Sequence, residues 1–252
     1  MNPLRALRYA RSYRNWRELA RERAAGRKPR RAVLRDGTVF EAPEGANALR
    51  VVAPVFHRNV YTPPGLEVRP DDCVVDVGAH IGAFAVFAAQ RTRGRVLAIE
   101  PHPANAEYLR RNLRANGAAH AEVAECAVSD TSGVRPLRLG ASGTTHRLAV
   151  PGTALAGASL DVSVATLPEL LAKHGLERVD FLKLDCEGEE GRILPALPAA
   201  VFAGLRAISL EFHDDLSPLD HAALEQLLAT RGFRVARVWD GRSKNGMLFA
   251  HR

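Results

Sequence analysis

From Cys73 onward the chain alternates short apolar runs with stretches whose apolar residues recur every three or four positions. Val74-Val75-Asp76-Val77 and Val96-Leu97-Ala98-Ile99 are too short for helices and rich in small or β-branched residues, as strands buried on both faces are. The same reading predicts strands at 73–78, 95–100, 121–126, 179–185, 205–211, 233–239 and 246–250. Helices are predicted near 81–92, 103–115, 165–174, 188–202 and 218–231. Asn116-Gly117 supplies a left-handed cap for the second helix, and Asp220, after Ser217 and Pro218, begins the last. Strand and helix in alternation predict an α/β, doubly wound sheet. Phe233 to Trp239 and Met247 to Ala250 flank a polar turn, so the seven-stranded, mostly parallel sheet should close with an antiparallel last strand.

Two segments break this rhythm. Residues 32–70 read as a β-rich lead-in: Ala32 to Phe40 carries an Asp36-Gly37 hairpin turn, and Leu49 to Phe56 reads as another extended piece. Tyr61-Thr62-Pro63-Pro64-Gly65 then forces a turn before the core domain, 71–252. Thr131 to Ala158 is rich in Gly, Ser, Thr and Pro and predicts an irregular, substrate-covering segment over the carboxyl edge of the sheet.

Composition adds little to this and charge adds more. A chain of 252 residues with 46% hydrophobic and 25% charged content suits one α/β domain with an appendage. No apolar run approaches the roughly 20 residues a membrane-spanning helix needs. The three unclustered cysteines, Cys73, Cys126 and Cys186, suit free thiols in a cytoplasmic protein. Of the net charge of +7, the arm 1–31 holds +9, from eleven basic residues against Glu18 and Glu22, leaving the rest at −2. A nearly neutral domain is not the profile of a specific nucleic-acid binder. Leu4, Leu7, Tyr13, Trp16 and Leu19 recur at helical spacing among the arginines, as in a basic amphipathic helix. Such an arm suits peripheral membrane or acidic-partner contact, an organelle-targeting segment, or a solvated helix.

The chemistry begins at Asp76-Val77-Gly78-Ala79-His80-Ile81-Gly82, a glycine turn between strand and helix. Glu100 ends the next strand, 22 residues after Gly78, where a carboxylate accepts ribose hydroxyls. Dinucleotide sites read G-x-G-x-x-G and cradle a pyrophosphate on a helix N-terminus. Here the order is D-x-G-x-x-x-G, and Asp76 would repel a pyrophosphate. A cationic nucleoside, S-adenosylmethionine, suits the acid better. In 179–185, Lys183 and Asp185 interrupt an apolar strand two residues apart, so both point to one face at its carboxyl end. Burying both is costly unless they pair or serve a site. Glu189 and Glu190 then suit the first turn of a helix.

These pieces, with Ala98-Ile99-Glu100-Pro101, Asn105, Asn112, Ala127-Val128-Ser129-Asp130, Phe181 to Glu190 and Ile208-Ser209-Leu210-Glu211, resemble the FkbM family of S-adenosylmethionine-dependent methyltransferases over about 60–250. The resemblance implies a Rossmann-like class I methyltransferase fold. It also implies that Asp76, Gly78, His80 and Gly82 face the methionine moiety, Glu100 the ribose, and Ala127 and Val128 the adenine, with Pro101 a further cofactor-binding residue. The chain departs from the family at His80, where Asn is usual, and at Thr166-Leu167-Pro168-Glu169, where Thr-Leu-Asp is usual.

Methyl transfer needs an aligned nucleophile and a place for its proton. Asp185 is the candidate base or acceptor-orienting group, with Lys183 holding it or stabilising an alkoxide, and His213 is a second candidate base. Asp185, Glu211, His213 and Asp214 are candidate ligands for a divalent cation, but a hydrogen-bond network explains the same residues without metal and is the favoured reading. The expected acceptor is a hydroxyl on a glycan or natural-product small molecule. An RNA methyltransferase and a non-catalytic cofactor-binding domain are the alternatives.

Overall fold

The computed structural model describes residues 3–118, 120–140, 145–150 and 157–252, with side chains from residue 7. Two helices lead, α1 (Pro3–Ser12) and α2 (Trp16–Ala24), then the strands β1 (Arg31–Val33) and β2 (Val39–Glu41) and helix α3 (Ala48–Arg58). The order continues β3 (Val74–Val77), α4 (Ala83–Ala89), β4 (Val96–Ile99), α5 (Pro103–Ala115), β5 (Ala121–Ala124), β6 (Ala127–Ser129), β7 (Gly133–Arg138), β8 (Arg147–Leu148) and β9 (Ser159–Thr166). It ends α6 (Leu167–Lys173), β10 (Phe181–Leu184), α7 (Glu190–Ala196), α8 (Ala199–Gly204), β11 (Ala207–His213), α9 (His221–Thr230), β12 (Arg234–Val238) and β13 (Asn245–His251).

The main sheet has seven strands in the order β12-β13-β11-β10-β3-β4-β5, parallel except for β13. Alternate residues of each strand enter opposite layers. Val74 and Phe181 pack with α3, α4 and α5, whereas Val75, Val77, Leu182 and Leu184 pack with α6, α7 and α9. Both faces are therefore dry, as parallel sheets require. β3 is flanked by β4 on one side and β10 on the other, so the connections reverse direction there and open a crevice at the carboxyl ends.

The structure corrects three expectations. The run predicted as extended at Leu49–Phe56 is the helix α3: Ala48, Leu49, Val52 and Val55 are buried at helical spacing, and the Asn47 side chain accepts from Leu49 N at 3.1 Å. Valine-rich composition suggests a strand, but the burial period and the cap decide for helix. The lead-in is thus a hairpin plus a helix. The segment 131–158 is not one irregular loop. β7 and β8 lie within it and join β6 and β9 in a second sheet ordered β6-β9-β7-β8, built on Ala127, Leu137, Leu148, Val162 and Val164. Residues 141–144 and 151–156 of that segment lie outside the described residues. The helix expected at 188–202 is two helices, because Leu197 is extended ahead of Pro198.

The basic arm packs onto the β1–β2 hairpin. Tyr9, Tyr13 and Leu19 are buried, and Arg14 N donates to Val33 O at 2.7 Å. Much of its apolar face is consumed by the protein itself, although Leu7 stays 49% exposed. The departure at Thr166-Leu167-Pro168-Glu169 is a capping box: Thr166 and Glu169 cap each other's backbone, with proline in the first turn. All three cysteines are free.

Candidate active site

A cavity of about 480 Å³ opens at the carboxyl ends of β3, β4, β10 and β11, within the size range of small-molecule sites. Its floor is the turn after β3. Gly78 has φ 77°, and a Cβ there would sit 1.8 Å from Asp185 O, so glycine lets β3 and β10 end side by side. His80 also has φ 52°. Asn and His are both enriched in this left-handed region, which explains how His80 stands where the related family carries Asn.

Glu100 is buried at the end of β4. It accepts from His80 N at 2.8 Å, His102 N at 3.0 Å and Asn105 Nδ2 at 3.3 Å. Burial pushes its carboxyl up to about 7, against these donors. These donors take three of the carboxylate's roughly four lone-pair sites and leave Oε2 able to accept a further hydroxyl, such as one of a ribose. Pro101, Ala127, Val128 and Cys126 line the adjoining wall. His102 and His146 stack there with centroids 4.4 Å apart, and burial together with His102 lowers His146 to about 4, so that ring is neutral. Through Leu137 and residues 145–148 the second sheet reaches the cavity.

Of the predicted cofactor residues, Gly78, His80, Glu100, Pro101, Ala127 and Val128 line the cavity. Asp76 and Gly82 lie behind the lining: Gly82 caps α4 at φ 86°, and Asp76 is fully buried. The register places Asp76 beside Lys183, and Lys183 Nζ lies 2.9 Å from Asp76 Oδ1. Nζ also donates to Gly78 O at 2.8 Å and Val77 O at 3.2 Å. Burial disfavours the ammonium, but Asp76 and Asp185 outweigh it and hold its pKa above the usual lysine value. Lys183 therefore serves as a fixed cation beneath the glycine turn, with Asp76 as its counter-ion.

Asp185, expected to be held by Lys183, is held by a residue from outside the sheet. Tyr61 donates its phenol to Asp185 Oδ2 at 2.5 Å, and its ring covers Lys183 with Nζ 5.1 Å from the centroid. Burial and the Asp185 charge raise the phenol well above its ordinary pKa, so it stays a donor. Tyr61 was read from sequence only as part of a turn. An aromatic before Pro-Pro carries no sign of a partner 124 residues away.

The next strand brings a second group. Glu211 and His213 stand at the end of β11, and Asn245 donates to Glu211 Oε1 at 2.6 Å. His213 Nδ1 lies 3.3 Å from Glu190 Oε1 and Nε2 lies 3.7 Å from Glu187 Oε2. Burial alone would discharge this ring, but Glu190, Asp185 and Glu187 raise it to about 10. The acids around it favour the protonated ring, which argues against the general-base role the sequence suggested. Asp214 leaves the cluster as well: its carboxylate accepts from His221 N at 2.8 Å and meets His221 Nδ1 at 2.7 Å. Burial, opposed by His213, raises Glu187 to about 7, and its backbone is held at φ 55° beside the site.

The chain is similar to known proteins over most of its length. The model of the family described as the Methyltransferase FkbM domain matches residues 76–235, more than half of the chain. The chain belongs to the FkbM methyltransferase family. A relative named 31-O-demethyl-FK506 methyltransferase FkbM, from Streptomyces tacrolimicus, is 30% identical over 215 residues, covering 74% of this chain and 82% of its own. AMB antimetabolite synthetase AmbE of Pseudomonas aeruginosa is 30% identical over 224 residues, covering 72% of this chain but 10% of its own. The crystal structure of methyltransferase FkbM from Methylobacillus flagellatus KT superposes with a TM-score of 0.55 at 18% identity, covering 79% of this chain and 48% of that one, which supports the fold.

For an FkbM methyltransferase, the pairing around Glu189 is the other feature that the sequence hid. It reads there as helix-start electrostatics, yet Glu189 is buried, meets Arg135 at 3.1 Å and accepts from Ser129 Oγ at 2.5 Å. Arg135 on β7 thereby ties the second sheet to the start of α7. Glu190 accepts from Cys186 N at 2.9 Å and Gly188 N at 3.0 Å and shapes the loop beside Asp185.

Proposed function

We propose that this chain methylates a hydroxyl oxygen on a natural-product small molecule or a glycan, with S-adenosylmethionine as methyl donor. When bound, that cofactor supplies a methyl group on a positively charged sulfur. The chain's own part is to place an acceptor oxygen in line with that methyl and to take up the hydroxyl proton. The observation that carries the reading is Asp185. Its Oδ2 is fixed by Tyr61, and no hydrogen bond reaches its Oδ1 among the described residues, at a cavity floor shared with the glycine turn. A carboxylate so held orients an O–H and accepts its proton as the new O–CH3 bond forms. Lys183, pinned by Asp76, holds the carbonyls of Val77 and Gly78 and so the floor itself. The Streptomyces relative is named for an O-demethylated acceptor, which supports oxygen as the methylated atom.

The test is transfer of methyl label from S-adenosylmethionine to a panel of polyols, glycans, hydroxylated macrolides and RNA. Label recovered in an ether linkage on a non-nucleic-acid acceptor is the expected result. Label on nitrogen, carbon or RNA overturns the reading.

A further inference from the structure

Asp185 after β10 and Glu211 and His213 on β11 bring one potential ligand atom each to within 4.8 Å of one another. Glu211 and His213 are two residues apart on one strand and so share a face. Each of the three is oriented from outside the group. Tyr61 holds Asp185 Oδ2, Asn245 holds Glu211 Oε1, and Glu190 faces His213 Nδ1. One oxygen of each acid and Nε2 of the ring are thereby left toward the shared space. His213 is only 6% exposed, and among the described residues Nε2 meets no partner at hydrogen-bond distance, with Glu187 Oε2 standing 3.7 Å away. Metal-binding side chains have this arrangement: a histidine turned by a carboxylate on its far nitrogen, and carboxylates fixed by outer donors.

We infer that Asp185, Glu211 and His213 bind a divalent cation of the magnesium or manganese class. Two carboxylate oxygens and one imidazole favour such hard or borderline ions over soft ones, and leave positions for water or an acceptor oxygen. The cation would take the place of the proton that the surrounding acids otherwise hold on His213, so that binding releases a proton; it would neutralise acids that face one another and anchor the acceptor hydroxyl beside Asp185. Its use in this way rests on the proposed hydroxyl methylation; its binding does not.

The experiment is titration of Mn2+ into the metal-stripped full chain, followed by loss of the free-ion electron paramagnetic resonance signal. Wild type should bind one ion per chain saturably. Glu211→Gln and Asn245→Ala should each weaken binding at least about tenfold, and circular dichroism and retained S-adenosylmethionine binding establish that the variants are folded. Absence of saturable binding in wild type, or undiminished binding in both folded variants, overturns the site. With an acceptor in hand, chelation should abolish turnover and Mg2+ or Mn2+ should restore it. Full activity in chelator overturns the anchoring role. Label found on nitrogen or carbon would defeat the hydroxyl reading while leaving the Mn2+ titration unchanged, so the two failures are distinct.

Discussion

Tyr61 and Asp185 meet through a 2.5 Å hydrogen bond that joins the segment after α3 to the end of β10. One carboxylate oxygen is fixed and the other is turned to the cavity. Removing the phenol in Tyr61→Phe removes a hydrogen bond to a charged group, worth about 1.5–3 kcal/mol. If that energy acts in the transition state, kcat should fall roughly 10- to 100-fold. Affinity for S-adenosylmethionine should change little, and a variant with unaltered kcat would take Tyr61 out of the reaction.

Asp185→Asn keeps the shape and loses the basic oxygen. Turnover should vanish while calorimetry still detects cofactor binding. Full activity in this variant would end the assignment of Asp185 as base or orienting group.

Glu100 makes cofactor affinity depend on pH. Its carboxyl, ordinarily near 4.5, is raised to about 7 by burial. The folded chain therefore keeps a proton that the unfolded chain has lost between those values, and this group's contribution to stability declines as pH rises through that window. Ribose hydroxyls are bound better by the ionised form, so cofactor affinity should rise from pH 6 to pH 8. Glu100→Gln should bind at least about tenfold more weakly and lose most of that pH dependence. A pH-dependent affinity retained in full by the glutamine variant would place the titration elsewhere.

Lys183 and Asp76 form a pair with side chains 3% and 0% exposed. Lys183→Met leaves Asp76 buried without its cation and should destabilise the fold by about 3–5 kcal/mol. Adding Asp76→Leu should recover part of that loss in thermal denaturation. If the double variant is no more stable than Lys183→Met, the penalty does not come from the stranded carboxylate.

Arg135→Ala should weaken the attachment of the second sheet, because Glu189 loses its cation in a mostly buried setting. Hydrogen exchange over β7–β9 should accelerate in this variant while β3 and β4 stay protected. Uniform exchange across both sheets would mean that Arg135 stabilises the whole domain rather than this junction.

The strands of the main sheet, the glycine turn and the position of Glu100 were legible in the sequence because each is set by local rules. Period two in a dry strand, Gly78 at positive φ and an acid at a strand end are properties of a few adjacent residues. Lys183 and Asp185 were legible as anomalies, since charges in an apolar strand need a reason. Their partners were not. Parallel register put Asp76 against Lys183, and the path of the chain after α3 put Tyr61 against Asp185. Charge state also lay beyond sequence: three surrounding carboxylates favour the protonated ring of His213, and a nearby ring draws Asp214 away. The helical nature of 49–56 and the second sheet within 131–158 likewise depended on what those segments pack against. Local pattern determined where ligand-facing residues occur along the chain. Only tertiary contact, in which Coulomb energy and burial act between residues far apart in sequence, decided which of them work together.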